Sequence, residues 1–132
     1  MAKVVFRYKP VRGQLAPLIT FGLRIGDLWQ AVEAYVDSGA TYTVLHAQIA
    51  QAAGFDYRRG TLIYLQVGDG SFIPVHLHEL ELQIGPVRFP ATIGFSERLG
   101  IASNLMGRFD VLSRFAVCFE EQRGFLTFES SD

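Results

Sequence analysis

Short runs rich in Val, Ile, Phe and Tyr recur along this chain between breaks that contain glycine, and no other feature limits the fold so narrowly. Branched and aromatic side chains pack well on a pleated, half-buried surface, so such runs read as strands. They are Val4 to Tyr8, Pro17 to Ile25, Leu28 to Asp37, Thr61 to Val67, Phe72 to Ile84, Val87 to Ile93, Ala116 to Phe119 and Phe125 to Glu129. Gly26-Asp27 and Gly85-Pro86 mark turns between neighbouring runs. Gly68-Asp69-Gly70-Ser71 supplies the glycines that a hairpin tip uses at positive φ, so Leu65 to Val75 is expected to project as a β-hairpin. Helical patterning occurs at only two places. One is Val44 to Ala53, Ala- and Gln-rich and closed by Gly54; the other is Asp110 to Phe115, with Asp110 as its N-cap. The expectation is a mostly β fold with one or two short helices.

Size and charge narrow the function. With 132 residues, 49% hydrophobic and 19% charged, the chain suits one well-buried domain over residues 1–132 and is too short for two. A net charge of -1 leaves no electrostatic footprint for nucleic acid or an anionic membrane. The N-terminal residues lack the apolar core of a signal peptide, and no stretch approaches a membrane span. The single cysteine, Cys118, sits in the apolar run Phe115 to Phe119, which predicts a buried, inert thiol and fits a reducing, cytoplasmic compartment.

The chemistry centres on Tyr35-Val36-Asp37-Ser38-Gly39-Ala40-Thr41. Alternation along the preceding strand puts Val32, Ala34 and Val36 on one face, and a buried strand ending in a carboxylate demands an explanation. Either Asp37 is satisfied by its own turn or it acts on a ligand. A second landmark is Leu105-Met106-Gly107-Arg108, two apolar residues, a glycine and a cation ahead of the second short helix. Asp37-Ser38-Gly39-Ala40, the glycine-tipped hairpin and Leu105-Met106-Gly107-Arg108, in that order across residues 20 to 119, resemble the landmarks of retropepsin-type aspartic proteases.

That resemblance implies a closed barrel lobe in which the Leu105-Met106-Gly107 segment crosses the Asp37 loop. It also implies that two lobes face each other. Aspartic peptidase chemistry uses two carboxylates sharing one proton, because like charges that close cannot both ionise. This chain has one Asp-Ser-Gly, and Asp69, Asp110 and Asp132 lie in other contexts, so the partner acid would be Asp37 of a second copy. The implied protein is a homodimeric endopeptidase that needs no cofactor or metal and takes an extended peptide or protein substrate. Ser38 would bridge to the opposite loop, Gly39 would offer its N–H to the carboxylates, and Ala40 would stay small beside the substrate. Gly68, Asp69, Gly70 and Ser71 would tip a flap closing over the peptide, Asp69 departing from the apolar tip of retroviral members. Arg108 resembles an arginine anchored in those members by an acid shortly after the catalytic triplet. Here Thr41 or Tyr42 stands at that place, leaving Asp110, a backbone carbonyl or the other subunit as its partner. The chain ends, Val4 to Phe6 with Phe125 to Phe128, would interleave between subunits. The alternative is a module that kept this fold and dimer seam but lost efficient catalysis, serving in peptide binding or assembly.

Other features read as structure. His76 and His78 share one strand face, but no third ligand has suitable spacing and His46 falls on the first predicted helix, so solvent-facing histidines are expected. Gly13, Gly22 and Gly26 form no phosphate loop. The aromatics are spread through the strands as core residues rather than a base-stacking platform. Trp29, beside the Gly26-Asp27 turn, is placed at the surface or the dimer seam.

Overall fold

The computed structural model describes residues 2–130; Asp132 lies outside the described residues. Strands β1 (Lys3–Arg7), β2 (Lys9–Val11) and β3 (Gln14–Ala16) lead into β4 (Leu18–Ile25) and β5 (Leu28–Val36). β6 (Thr43–His46) runs into helix α1 (Ala47–Ala52), and a 3-10 turn at Tyr57–Arg59 precedes β7 (Thr61–Gln66), β8 (Phe72–Ile84) and β9 (Val87–Ser96). β10 (Asn104–Met106), a 3-10 turn at Leu112–Arg114, β11 (Phe115–Glu120) and β12 (Phe125–Ser130) complete the order. The mostly β fold expected from the sequence is the one observed, with one short helix.

The largest sheet runs β4-β5-β10-β6-β9-β8-β7, and β4 also pairs with β8. The extra ladder sets Gly22 against Gln83, Leu23 against Leu82 and Arg24 against Glu81, so the strands from β4 round to β8 return on themselves and β7 branches off. Alternation turns Phe21, Leu23, Val32, Ala34, Leu82, Ile84, Ile93 and Phe95 into the enclosed space, where all are buried. Closing a sheet this way leaves few open edges. Among the described residues no helix is long and apolar enough to cross a membrane.

A second sheet of three strands, β1-β12-β11, joins the chain ends. Val4 to Phe6 and Phe125 to Phe128, the segments implied to interleave between subunits, pair with one another within the chain, Val4 against Phe128 and Phe6 against Leu126. Packing explains the choice: Leu126 and Phe128 are fully buried in the main core, and Phe6 meets Phe128 edge-on with ring centroids 5.5 Å apart.

Several sequence expectations are corrected. Val44 and Leu45 are not helical; they lie in β6, where Val44 is gripped between Leu105 of β10 and Gly94 of β9. The helix starts only at Ala47 and ends at Ala52, with Ala53 as its C-cap and Gly54 following at φ +68°. Asp110 caps no helix, since Val111 holds the N-cap place of the 3-10 turn. Asp110 instead accepts hydrogen bonds through Oδ2 from the Thr92 N–H (2.9 Å) and hydroxyl (2.7 Å). Cys118 is exposed, because both faces of β11 carry apolar residues and alternation sends Phe115 and Val117 to the core and Ala116 and Cys118 outward. His76 and His78 share a face but are half-buried: His76 lies edge-on to Tyr57, His78 to Phe55 and Phe95. His46 ends β6 rather than sitting within the helix.

Candidate active site

Asp37 stands directly after Val36, the last residue of β5, and is half-buried. Its turn is closed by the Ala40 N–H donating to the Asp37 carbonyl at 3.1 Å. The Gly39 N–H donates to Asp37 Oδ1 at 2.9 Å, and a Cβ at Gly39 would stand 3.2 Å from that oxygen. The turn thus fixes one carboxylate oxygen through the backbone and leaves little room for a side chain beside it. Ser38 is exposed.

β10 fastens this turn from behind. It runs parallel to β5, with Met106 opposite Val36, and antiparallel to β6, with Leu105 opposite Val44. The Asp37 N–H donates to the Met106 carbonyl (3.0 Å), the Arg108 N–H to Ala40 (2.9 Å) and the Phe109 N–H to Thr41 (2.7 Å). Glycine is required at 107, because a Cβ there would overlap the Tyr42 carbonyl and come within 2.9 Å of the Ala40 oxygen. The Gly107 N–H donates to Thr43 Oγ1 at 3.0 Å, a buried bond. Thr43 was not singled out from the sequence; its only signal is a β-branched hydroxyl inside an apolar run, which reads as ordinary strand.

The hairpin of β7 and β8 covers the same space. At its tip the Val67 N–H donates to the Ser71 carbonyl (2.8 Å), the Gly70 N–H donates to Val67 (2.9 Å), and Gly70 takes φ +87° while Gly68 does not need positive φ. Asp69 Oδ1 accepts from the Ser71 hydroxyl (2.6 Å) and N–H (2.9 Å), and these bonds hold its carboxyl below the usual range. Between hairpin and turn lies a cleft of about 750 Å³, lined by Asp37, Tyr42, Leu65, Asp69, Ile73 and Arg98 among others. The structure therefore brings Asp37, Gly39 and Ala40 together with Gly68, Asp69 and Ser71 across one cleft, with Leu105 on its wall.

Arg108 is exposed, and among the described residues its side chain forms no ion pair. Asp110 is occupied by Thr92, and Tyr42, where the resemblance asks for an acid, packs its ring on Phe109 at 5.5 Å. Among the described residues no group of three or more His, Cys, Asp or Glu is arranged to hold a metal ion. What remains is one half-buried carboxylate, anchored through one oxygen and facing a covered cleft. Such a group can take a proton from a water, but cannot alone also give one to a carbonyl oxygen.

The model of the aspartyl protease family matches residues 22–102, the stretch containing the Asp37 turn and the hairpin. No curated protein matches the chain. Among solved structures, a retropepsin-like aspartic protease from Rickettsia conorii matches with a TM-score of 0.65 at 18% identity, covering 96% of this chain and 90% of that one. At that identity the likeness speaks for the fold, and the family match over most of the chain speaks for descent. With the Asp37 turn inside the matched residues, the chain belongs to the aspartyl protease family, and its fold is retropepsin-like.

Proposed function

We propose that the protein is an aspartic endopeptidase whose catalytic pair is Asp37 from each of two copies related by a two-fold axis. The observation that carries the reading is the Asp37 turn, anchored by Gly39 and Met106 and opening on a covered cleft. In the pair the two carboxylates share one proton, since repulsion prevents both from ionising. The unprotonated Asp37 takes a proton from a water as the water oxygen bonds to the scissile carbonyl carbon. The protonated Asp37 gives its proton to the carbonyl oxygen. Collapse of the tetrahedral intermediate breaks the C–N bond as a carboxyl returns a proton to the departing nitrogen. The exposed Ser38 hydroxyl would bridge to the partner's turn, and Ala40 leaves room for the substrate backbone. The hairpin tipped by Gly68, Asp69, Gly70 and Ser71 acts as the flap, adding main-chain hydrogen bonds to an extended peptide and excluding water. No cofactor takes part in this chemistry.

Asp37→Asn is expected to leave folding and dimerisation intact while lowering peptide hydrolysis at least about 10²–10⁴-fold. A variant cleaving at the wild-type rate would rule the assignment out. Specific activity should also fall on dilution as dimers dissociate, measured alongside mass by sedimentation. The exposed Arg108, with no ion pair among the described residues, favours one other reading, a dimerising peptide-binding module without efficient catalysis. Wild-type protein that binds peptides with dimeric stoichiometry and cleaves none would establish it. A cytoplasmic location is part of the same proposal, supported by an exposed single thiol that an oxidising compartment would expose to disulfide exchange; cell fractionation checks it.

A further inference from the structure

We propose that Arg98 forms a subsite for an acidic side chain on the bound peptide, so that the cleft selects substrates carrying Asp or Glu near an apolar residue. The inference rests on the reading of the cleft as a peptide site and adds its substrate class.

Three charged residues line the cleft: Asp37, Asp69 and Arg98. Asp37 is assigned to the chemistry. Asp69 is turned into its own loop, both hydrogen bonds to Ser71 falling on one carboxylate oxygen. Arg98 is the cation of this surface, and among the described residues its guanidinium forms no ion pair and no hydrogen bond. Its sequence neighbour could have neutralised it but faces elsewhere. Glu97 pairs with Arg58 at 2.5 Å and accepts from Gln51 at 3.2 Å. Tyr57, Arg58 and Gln51 around it hold the Glu97 carboxyl below its usual range. Glu97 lies in a bend just after β9, and with Glu97 held by Arg58, Arg98 is left exposed at the cleft. Arg24 is engaged with Asp27 and Glu81, Arg88 with Gln83 and Trp29, and Arg114 with the Asp110 and Pro90 carbonyls, while Arg108, also without an ion pair among the described residues, does not line the cleft.

The surroundings make a free guanidinium selective. Leu65, Ile73, Leu99 and Leu105 give the cleft an apolar lining, which suits an apolar side chain beside the reacting bond. A carboxylate brought to Arg98 meets a planar fork that it can accept in two parallel hydrogen bonds. As the hairpin lies over the peptide, water is excluded and the attraction strengthens, whereas a Lys at the same place would meet like charge.

The test uses fluorescein-labelled peptides with a central apolar pair and Glu, Gln or Lys scanned through the flanking positions. Cleavage is followed with wild-type protein, and binding with Asp37→Asn protein so that affinity is read without turnover. At one flanking position or more, Glu should bind about tenfold tighter than Gln, with the advantage shrinking as salt is added. Arg98→Gln should erase the Glu-to-Gln ratio, and Arg98→Glu should turn the preference toward Lys. Equal ratios in wild type and Arg98→Gln overturn the subsite, and if Asp37-dependent cleavage persists, the peptidase reading stands without it. Discrimination that depends on Arg98 but comes with no cleavage sinks the peptidase reading alone. Failure of every peptide to bind overturns both.

Discussion

The two halves of β8 live under different physics. From Glu81 to Gln83 the strand is paired on both edges, with β4 on one side and β9 on the other, and Leu82 and Ile84 are fully buried. From Phe72 to Val75 it pairs only with β7, and Phe72 and Tyr64 are 63% and 64% exposed. One continuous strand therefore serves as frame at one end and as half of a projecting hairpin at the other. Local stability follows ladder number and burial, so the frame half is expected to open only with the whole fold and the hairpin half before it.

The largest effect that could break this contrast is a side-chain truncation in each half. Leu82→Ala should cost about 2–5 kcal/mol in denaturant unfolding, since it empties a fully buried site. Phe72→Ala should stay within about 0.5 kcal/mol, its ring being largely in water. Similar costs at the two sites would show that the hairpin is as firmly held as the frame.

Hydrogen exchange sharpens the same point with a smaller perturbation. The amides of Leu23 and Leu82, on the β4–β8 ladder, should exchange only through global opening, while Gly70 and Ser71 at the tip should exchange orders of magnitude faster. Uniform protection across both would refute the division.

The smallest effect is a titration at the tip. The folded Asp69 carboxyl is depressed by its bonds from Ser71, so their contribution is complete above the usual carboxylate range and is lost as pH falls through the lowered value. Protection factors at Ser71 should decline over that acid window and not elsewhere in β8. Asp69→Ala should remove the dependence, and its persistence in that variant would assign the effect to another group.

Much of this was legible in residues. The long strands and the hairpin announce themselves because their alternation and bounding glycines are local properties, and Val32, Ala34 and Val36 do share the buried face read from their spacing. β10 was invisible as a strand: three residues carry too little pattern, and its extended state is imposed by β5 and β6 on either side. β6 was absorbed into a helix because Val44 and Leu45 run without a break into an Ala- and Gln-rich stretch, and only non-local pairing separates them. Asp110 looked like a cap because capping and bracing a distant strand use the same carboxylate. Arg98 offered no signal, since its consequence depends on which neighbour Glu97 takes.

The crossing of β10 also carries a lesson about timing. The acid sits in the first third of the chain, yet the groups that fasten its turn belong to Met106 through Phe109. During synthesis from the N-terminus, Asp37 emerges long before its fasteners do. A polypeptide interrupted ahead of residue 104 would carry the acid without its mount, so the turn is fastened only once residues 106–109 have been made.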